Sequence, residues 1–195
     1  MTSESVHQDT TKSSPSSRSL VFDQHSVINA TIFSGASPIY RIITSKSMSR
    51  TDICDIPGQC IVATIKRREV LPDTVKFPAR NEGHSIAVNK WLRPITVPAH
   101  TEPCTSLVTD SGNFVWKTNP TYRLALFPEE DSQTPLAFVT RSRPPESLII
   151  TVNEGYDEMI EDILVSFIAL EHRLRMKEKR RQNSMMFGPV SSGLA

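Results

Sequence analysis

Few residues in this chain have the type and spacing that chemistry needs. His84, His100 and Cys104 come nearest to a metal set. His100 and Cys104 are close in sequence, but Pro103 intervenes and no second close pair follows, whereas structural zinc takes four ligands in paired spacing. No metal site is expected. Leu107-Val108-Thr109-Asp110-Ser111-Gly112 resembles an aspartic-protease motif. That chemistry needs two carboxylates sharing one proton, and the chain carries no second copy. Asp, Ser and Gly are also turn residues, so the stretch reads as a hairpin turn between strands at 105–109 and 113–117. There is no Gly-x-Ser-x-Gly nucleophile elbow. The seven glycines are scattered rather than gathered into a phosphate loop. His172, beside Glu171 near a helix end, reads as a packed or capping residue. Trp91 and Trp116 could stack a base or sugar, but their apolar neighbours favour the core. The expectation is a protein without catalysis and without a cofactor.

Two basic clusters are candidates for binding anions. Lys66-Arg67-Arg68 ends an expected strand, with Arg41 and Lys90 in others. Arginine and lysine donate several hydrogen bonds to phosphate oxygens, so Lys66, Arg67 and Arg68 are the candidate ligand-binding residues. The plainer reading is a solvated strand end before the turn at Leu71-Pro72-Asp73. Lys177-Glu178-Lys179-Arg180-Arg181 is of the kind found in nuclear-localisation and membrane-surface segments. Its plainer reading is a charged helix exit that complements the helix dipole. Beyond it, Met185-Met186-Phe187 is a short apolar patch that could dock on a partner.

Composition bounds the rest. The 195 residues suit one domain with tails. Lysine plus arginine number 22 against 21 acidic residues, so a generally basic nucleic-acid binder is not indicated. Cys54, Cys60 and Cys104 are odd in number and widely spaced, which reads as free thiols in a reducing compartment. Residues 1–18 are rich in Ser and Thr with no apolar run, hence a disordered tail rather than a signal peptide. A second tail is expected over 182–195. The longest apolar stretch, 163–170, is far short of the ~20 residues of a spanning helix. A soluble, cytoplasmic protein follows, with a nuclear or membrane-peripheral location left open. Asn29-Ala30-Thr31 matches a glycosylation sequon, a pattern frequent by chance and irrelevant in the cytosol.

Between the tails, over 19–181, short β-prone runs alternate with turn signals. They fall at 19–22, 27–33, 39–44, 51–55, 59–68, 74–77, 85–88, 91–96, 105–109, 113–117, 122–127, 136–141 and 148–152. Ile61, Ala63 and Ile65 alternate with Val62, Thr64 and Lys66, and Phe114 and Trp116 share a face opposite Val115. About a dozen strands with short connections point to a sandwich or barrel. The exception is 156–181, one long helix. Asp157, Glu158, Glu161 and Asp162 crowd its start, and arginines and lysines crowd its end. Its middle, Ile163-Leu164-Val165-Ser166-Phe167-Ile168-Ala169-Leu170, is apolar on every side. A surface helix shows a stripe; a helix apolar all round must be enclosed. Ile163, Leu164, Phe167 and Ile168 are therefore expected to form the heart of the core, inside a sheet closed around them.

The order of these segments carries a resemblance. Pro38-Ile39-Tyr40-Arg41-Ile42 is followed by Ile61-Val62-Ala63-Thr64-Ile65-Lys66, then Trp91-Leu92 and Asp110-Ser111-Gly112-Asn113-Phe114-Val115-Trp116-Lys117. Leu136-Ala137, Leu148-Ile149-Ile150 and Leu164-Val165-Ser166-Phe167, running on to Glu171 and Arg173, complete it. Across most of 20–181 the chain resembles an uncharacterised family of mushroom-forming (basidiomycete) fungi, domain of unknown function 6593. That family is similar in plan to the tubby C-terminal and LURP-one-related domains. The resemblance implies a closed antiparallel β-barrel of about twelve strands around a hydrophobic C-terminal helix. Distant relatives of this plan include phosphoinositide-binding tubby domains and phospholipid scramblases. This chain lacks the cysteine-rich palmitoylated stretch and the more strongly apolar end of the scramblases. No binding residue is carried over from tubby.

The function expected on this basis is a non-enzymatic binding module for an anionic phospholipid head group or a protein partner. The alternative is a structural or scaffold protein without lipid affinity. The enclosed helix also generates a test. Phe167→Asp should abolish cooperative folding, because it places an unpaired charge inside the core. A soluble variant with an unchanged melting curve would refute the enclosed helix.

Overall fold

The computed structural model describes residues 17–97, 103–118, 120–131 and 133–186. Seven strands come first: β1 (Arg18–Phe22), β2 (Thr31–Ser34), β3 (Ser37–Thr44), β4 (Arg50–Asp55), β5 (Cys60–Lys66), β6 (Thr74–Lys76) and β7 (Ser85–Ala87). A four-residue helical turn, α1 (Val88–Trp91), leads to β8 (Leu92–Ile95). Then follow β9 (Cys104–Thr109), β10 (Gly112–Lys117), β11 (Tyr122–Pro128), β12 (Ala137–Thr140) and β13 (Ile149–Val152). A 3-10 turn at Asp157–Met159 opens onto the long helix α2 (Ile160–Met186).

All thirteen strands form one antiparallel sheet, ordered β7-β6-β5-β4-β3-β2-β1-β13-β12-β11-β10-β9-β8. The chain starts in the middle, steps outward strand by strand to β7, crosses to β8 at the opposite edge, and steps back until β13 pairs with β1. Laid flat, thirteen strands would span roughly 57 Å. Yet the two edges are linked by α1 alone, whose four residues rise only about 6 Å. The sheet must therefore curl until its two edge strands approach each other at α1.

The expected closed barrel needs correcting at this seam. No ladder joins β7 to β8, so the sheet stays open in its hydrogen bonding. The local sequence supplies the reason. β7 is three residues long, and the chain turns into α1 at Val88, whose N–H bonds Asp73 O at 2.8 Å. β8 carries Pro94, which has no N–H to give and is tolerated on an edge strand. Side chains fill the seam instead. Trp91 and Val88 are buried, and the Trp91 ring meets Phe77 edge-on at 5.4 Å. Trp91 thus ends a helical turn rather than opening a strand.

The curl encloses the first half of α2. Ile163, Leu164, Phe167 and Ile168 are fully buried, as are Val165 and Ser166. Phe22 of β1 packs edge-to-face on Phe167 at 5.9 Å. The one polar side chain in the run is satisfied. Ser166 Oγ accepts the Trp116 indole N–H at 3.0 Å and donates to Ile163 O at 3.1 Å.

Local departures from the strand pattern have local causes. Register on β4 jumps from Ile53↔Ala63 to Cys54↔Ile61, which leaves Val62 as the extra residue of a bulge. Ala63 and Ile65 point inward as expected, but beyond the bulge Val62 turns to the core and Ile61 is exposed. The run expected over 27–33 is a strand only from Thr31; before it Val27 and Ala30 enter the core from a loop. Gln24 Nε2 holds that loop through Ile28 O at 3.0 Å and Asn29 O at 2.9 Å. Asn29 has φ near +52°, and its Oδ1 accepts the Thr44 N–H at 2.7 Å. Asp110 and Ser111 form a two-residue turn, with Thr109 paired to Gly112. Thr109 Oγ1 bonds both Ser111 N and Gly112 O, at 3.2 and 3.0 Å.

Among the described residues no helix is long and apolar enough to cross a membrane. Ser166→Ala should lower unfolding free energy by about 1–3 kcal/mol, because it strands the buried Trp116 N–H. Urea denaturation checks this. An unchanged midpoint and slope would show that the indole N–H finds another acceptor.

Candidate functional site

α2 has two halves with different surroundings. From Met159 to Glu171 nearly every residue is buried, whereas beyond Glu171 the helix emerges and its side chains are largely exposed. The sheet end where it emerges includes the turn between β3 and β4, the loops between β5 and β6 and between β1 and β2, and the start of β11. A network of charged side chains ties the exit in place. Glu171, fully buried, accepts from Arg123 Nε at 2.8 Å and Arg175 Nε at 2.6 Å. Arg123 also grips Glu178 through both terminal nitrogens, at 2.7 and 3.0 Å. Arg175 Nη1 donates to His25 O at 2.9 Å. Burial alone would lower the Arg123 pKa, but its bonds to Glu178 and Glu171 outweigh that and raise it. The same guanidinium holds Glu178 below the usual carboxylate range.

The opposite side of the emerging helix forms an open groove of about 810 Å³. Its helix wall carries Arg173, Lys177, Arg180 and Arg181, which recur at spacings of three and four and so share one face. Met176 and Met185 lie among them. The facing wall is Arg67, just after β5, and Asp73, just before β6. Arg67 is fixed, with Nη1 donating to Thr51 Oγ1 at 2.8 Å and Met48 O at 3.2 Å. Burial pushes its pKa down; Asp73 opposes this and Arg173 adds to it. Asp73 is the lone carboxylate on the lining, 3.9 Å from Arg173. Lys177, Arg180 and Arg181 make no ion pair among the described residues.

The start of α2 is the electrostatic contrast. There three of the four acids are paired: Arg80 bonds Asp162 at 2.7 Å and Glu161 at 3.1 Å, and Arg18 lies 3.4 Å from Asp157. Burial raises the Asp162 pKa while Arg80 pulls it down. The helix thus begins with an excess of acids and leaves the sheet with surplus cations.

The two basic clusters, far apart in sequence, converge through Arg67. Lys66 and Arg68 are exposed at the strand end and do not line the groove. Arg68 instead helps close the β5–β6 loop, its N–H bonding Asp73 Oδ1 at 3.1 Å. Lys90 is exposed on α1, and Arg41 lines a separate shallow recess with Cys54, Cys60 and Ile61. The second cluster also changes meaning. α2 runs to Met186, five residues past the expected 181 and into the stretch expected as a tail, so no basic residue sits in its last turn. Dipole complementation fades beyond that turn and does not account for 177–181. Arg173 was the residue sequence reasoning missed. Helical spacing from Lys177 and Arg180 would have placed it on the same face.

The other candidates fall apart in space. His84 is exposed on the turn after β6, Cys104 is buried in β9, and His100 lies outside the described residues. Among the described residues no three His, Cys, Asp or Glu side chains are grouped to hold a metal. Burial pushes the thiols of Cys54 and Cys104 up, which keeps them protonated. Met185 is exposed on the groove, while Phe187 lies outside the described residues.

Residues 25–176 match the model of a family described as Family of unknown function (DUF6593), and the chain belongs to that family. No curated protein and no solved structure matches it.

His172 lies inside the groove and gives it a pH dependence. Burial pushes its imidazole below the usual value, Arg67 and Arg173 add to this, and Asp73 opposes it. The unfolded chain therefore takes up that proton first as pH falls. The stability it contributes is complete above the ordinary histidine pKa and is lost as pH drops through it towards the folded value. His172→Asn should narrow the difference in melting temperature between about pH 7 and about pH 5.5. An unchanged difference would show that His172 is not the responsible group.

Proposed function

We propose that this member of the family is a non-enzymatic binding module whose ligand is a phosphate-bearing anion, the head group of an anionic phospholipid. The observation that carries this is the charge imbalance of the groove, five cationic side chains against one carboxylate. Arginine and lysine bond phosphate oxygens directly. Arg67, pinned by Thr51 and Met48, supplies a fixed donor that needs little ordering on binding. Lys177, Arg180 and Arg181 supply exposed charge along the helix wall.

The tubby-like and LURP-one-like plan, and a fungal origin, belong to this same reading. An enclosed C-terminal helix inside a curled antiparallel sheet supports the plan, with a barrel closed by side-chain packing at the α1 seam rather than by a full ladder. A cytoplasmic protein that visits the membrane surface fits a groove of this charge.

Co-sedimentation of the full chain with vesicles tests the reading. Phosphatidylcholine vesicles with phosphoinositide should pellet the protein at physiological salt, where exposed charges beyond about 8 Å are screened. Phosphatidylcholine alone should not. Changing Lys177, Arg180 and Arg181 together to Gln should weaken binding at least about tenfold, at roughly 1 kcal/mol per cation near the surface. Lys66→Gln with Arg68→Gln, exposed beside the groove but not lining it, should weaken it less than the groove variant. Pelleting that ignores the groove variant would move the site elsewhere. Absence of pelleting under every condition would leave the scaffold role as the working reading.

A further inference from the structure

Exposed apolar side chains gather where the surplus cations are. The loop between β5 and β6 has both feet in the groove, Arg67 on one side and Asp73 on the other. The Arg68 N–H to Asp73 Oδ1 bond closes it at 3.1 Å. Between those feet stand Val70, 93% exposed, and Leu71, 59% exposed. Across the groove Met185 is 83% exposed on α2, with Met176 also open to solvent. These four are the majority of the large apolar side chains left exposed among the described residues. Scattered singly they would mean little; two on the loop that supplies one wall and two on the helix that supplies the other, they mark an interaction surface.

The layering of the two chemistries identifies the occupant. Val70 and Leu71 stand on the loop beside the exposed Arg68 and Glu69, and cations lie at its Arg67 foot and along the helix wall. A free phosphate would engage the cations and leave Val70 and Leu71 in water. A bilayer surface offers both partners at once, with anionic phosphates at the level of the head groups and acyl chain just beneath. We propose that the β5–β6 loop is a membrane-insertion tip. On this view Val70 and Leu71 enter the acyl boundary while Arg67 and the basic face of α2 hold the phosphates above it. The inference rests on the head-group reading of the groove and adds how the protein meets the bilayer.

The geometry has a mechanical basis. Arg67 is tied to Thr51 and Met48, and Asp73 O accepts the Val88 N–H, so both feet of the loop are anchored to the sheet. Insertion is therefore carried by the rigid body rather than by a loose segment. Met185 stands on the other wall.

The test uses the full chain and the double variant V70S/L71S, which changes only exposed side chains. Binding is measured to phosphatidylcholine vesicles containing phosphatidylserine, and separately to inorganic pyrophosphate as a soluble phosphate probe. The expected result is a loss of vesicle affinity of at least about tenfold with pyrophosphate binding unchanged. A Val70→Trp variant should show a blue-shifted emission with these vesicles, quenched by brominated acyl chains. Vesicle binding of the double variant equal to that of the wild type, with no quenching of the introduced tryptophan, would overturn insertion and leave the head-group reading standing. Pyrophosphate binding without vesicle binding would also overturn it and point to a soluble phosphate ligand. Binding to neither probe would overturn the inference and the head-group reading together.

Discussion

The enclosure of α2 is the constraint on which everything else depends. A helix with apolar side chains around its whole circumference has no solvent face, so the sheet must supply apolar contacts in every direction. That requirement explains the curl of the thirteen strands and the inward line of Leu20, Ile32, Ile42, Ile53, Leu107, Leu126 and Ile150 from strands all around it. It also explains why Ser166 is tolerated. A polar atom at that depth survives only with partners, and Trp116 and the Ile163 carbonyl provide them.

The same enclosure fixes where the charges can go. Glu171 is the last residue of the buried segment, and a carboxylate there is stable only if paired. Arg123 and Arg175 pair with it, and Arg123 extends the grip further along the helix to Glu178. This network uses the acids on one side of the emerging helix. On the other side, Arg173, Lys177, Arg180 and Arg181 line a groove whose one carboxylate is Asp73. The surplus of positive charge in the groove thus follows from how the exit is secured, in a chain whose overall charge is close to neutral.

Much of this architecture was legible in the residues. Each expected β-run contains a strand, because turn residues bounded the runs and alternation set their faces. The helix was legible from its apolar middle and its charge-segregated ends. Where the reading slipped, a local interaction had overridden the pattern. The β4–β5 bulge flipped Ile61 and Val62, Gln24 and Asn29 replaced ladder bonds before β2, and the short span from β7 to β8 folded Trp91 into α1. The end of α2 was misplaced because Asn183 and Ser184 are indifferent helix formers, while Gln182 is a good one and no Gly or Pro stops the helix before Met186.

By itself, then, the sequence determined a strand-rich shell, one enclosed helix, and the absence of any recognisable catalytic motif. These depend on periodicity and local composition, which a linear reading contains. The groove was decided by tertiary structure. Arg67 and Arg173 are over a hundred residues apart, and only the sheet order that brings the β5–β6 loop to the helix exit sets them on facing walls. The meaning of each cation was decided there too. Of three adjacent basic residues, Arg67 turns into the groove while Lys66 and Arg68 do not, because Thr51 and Met48 offer their acceptors to that guanidinium. Distances between side chains on different strands depend on register and curl, and no pattern along one strand encodes them.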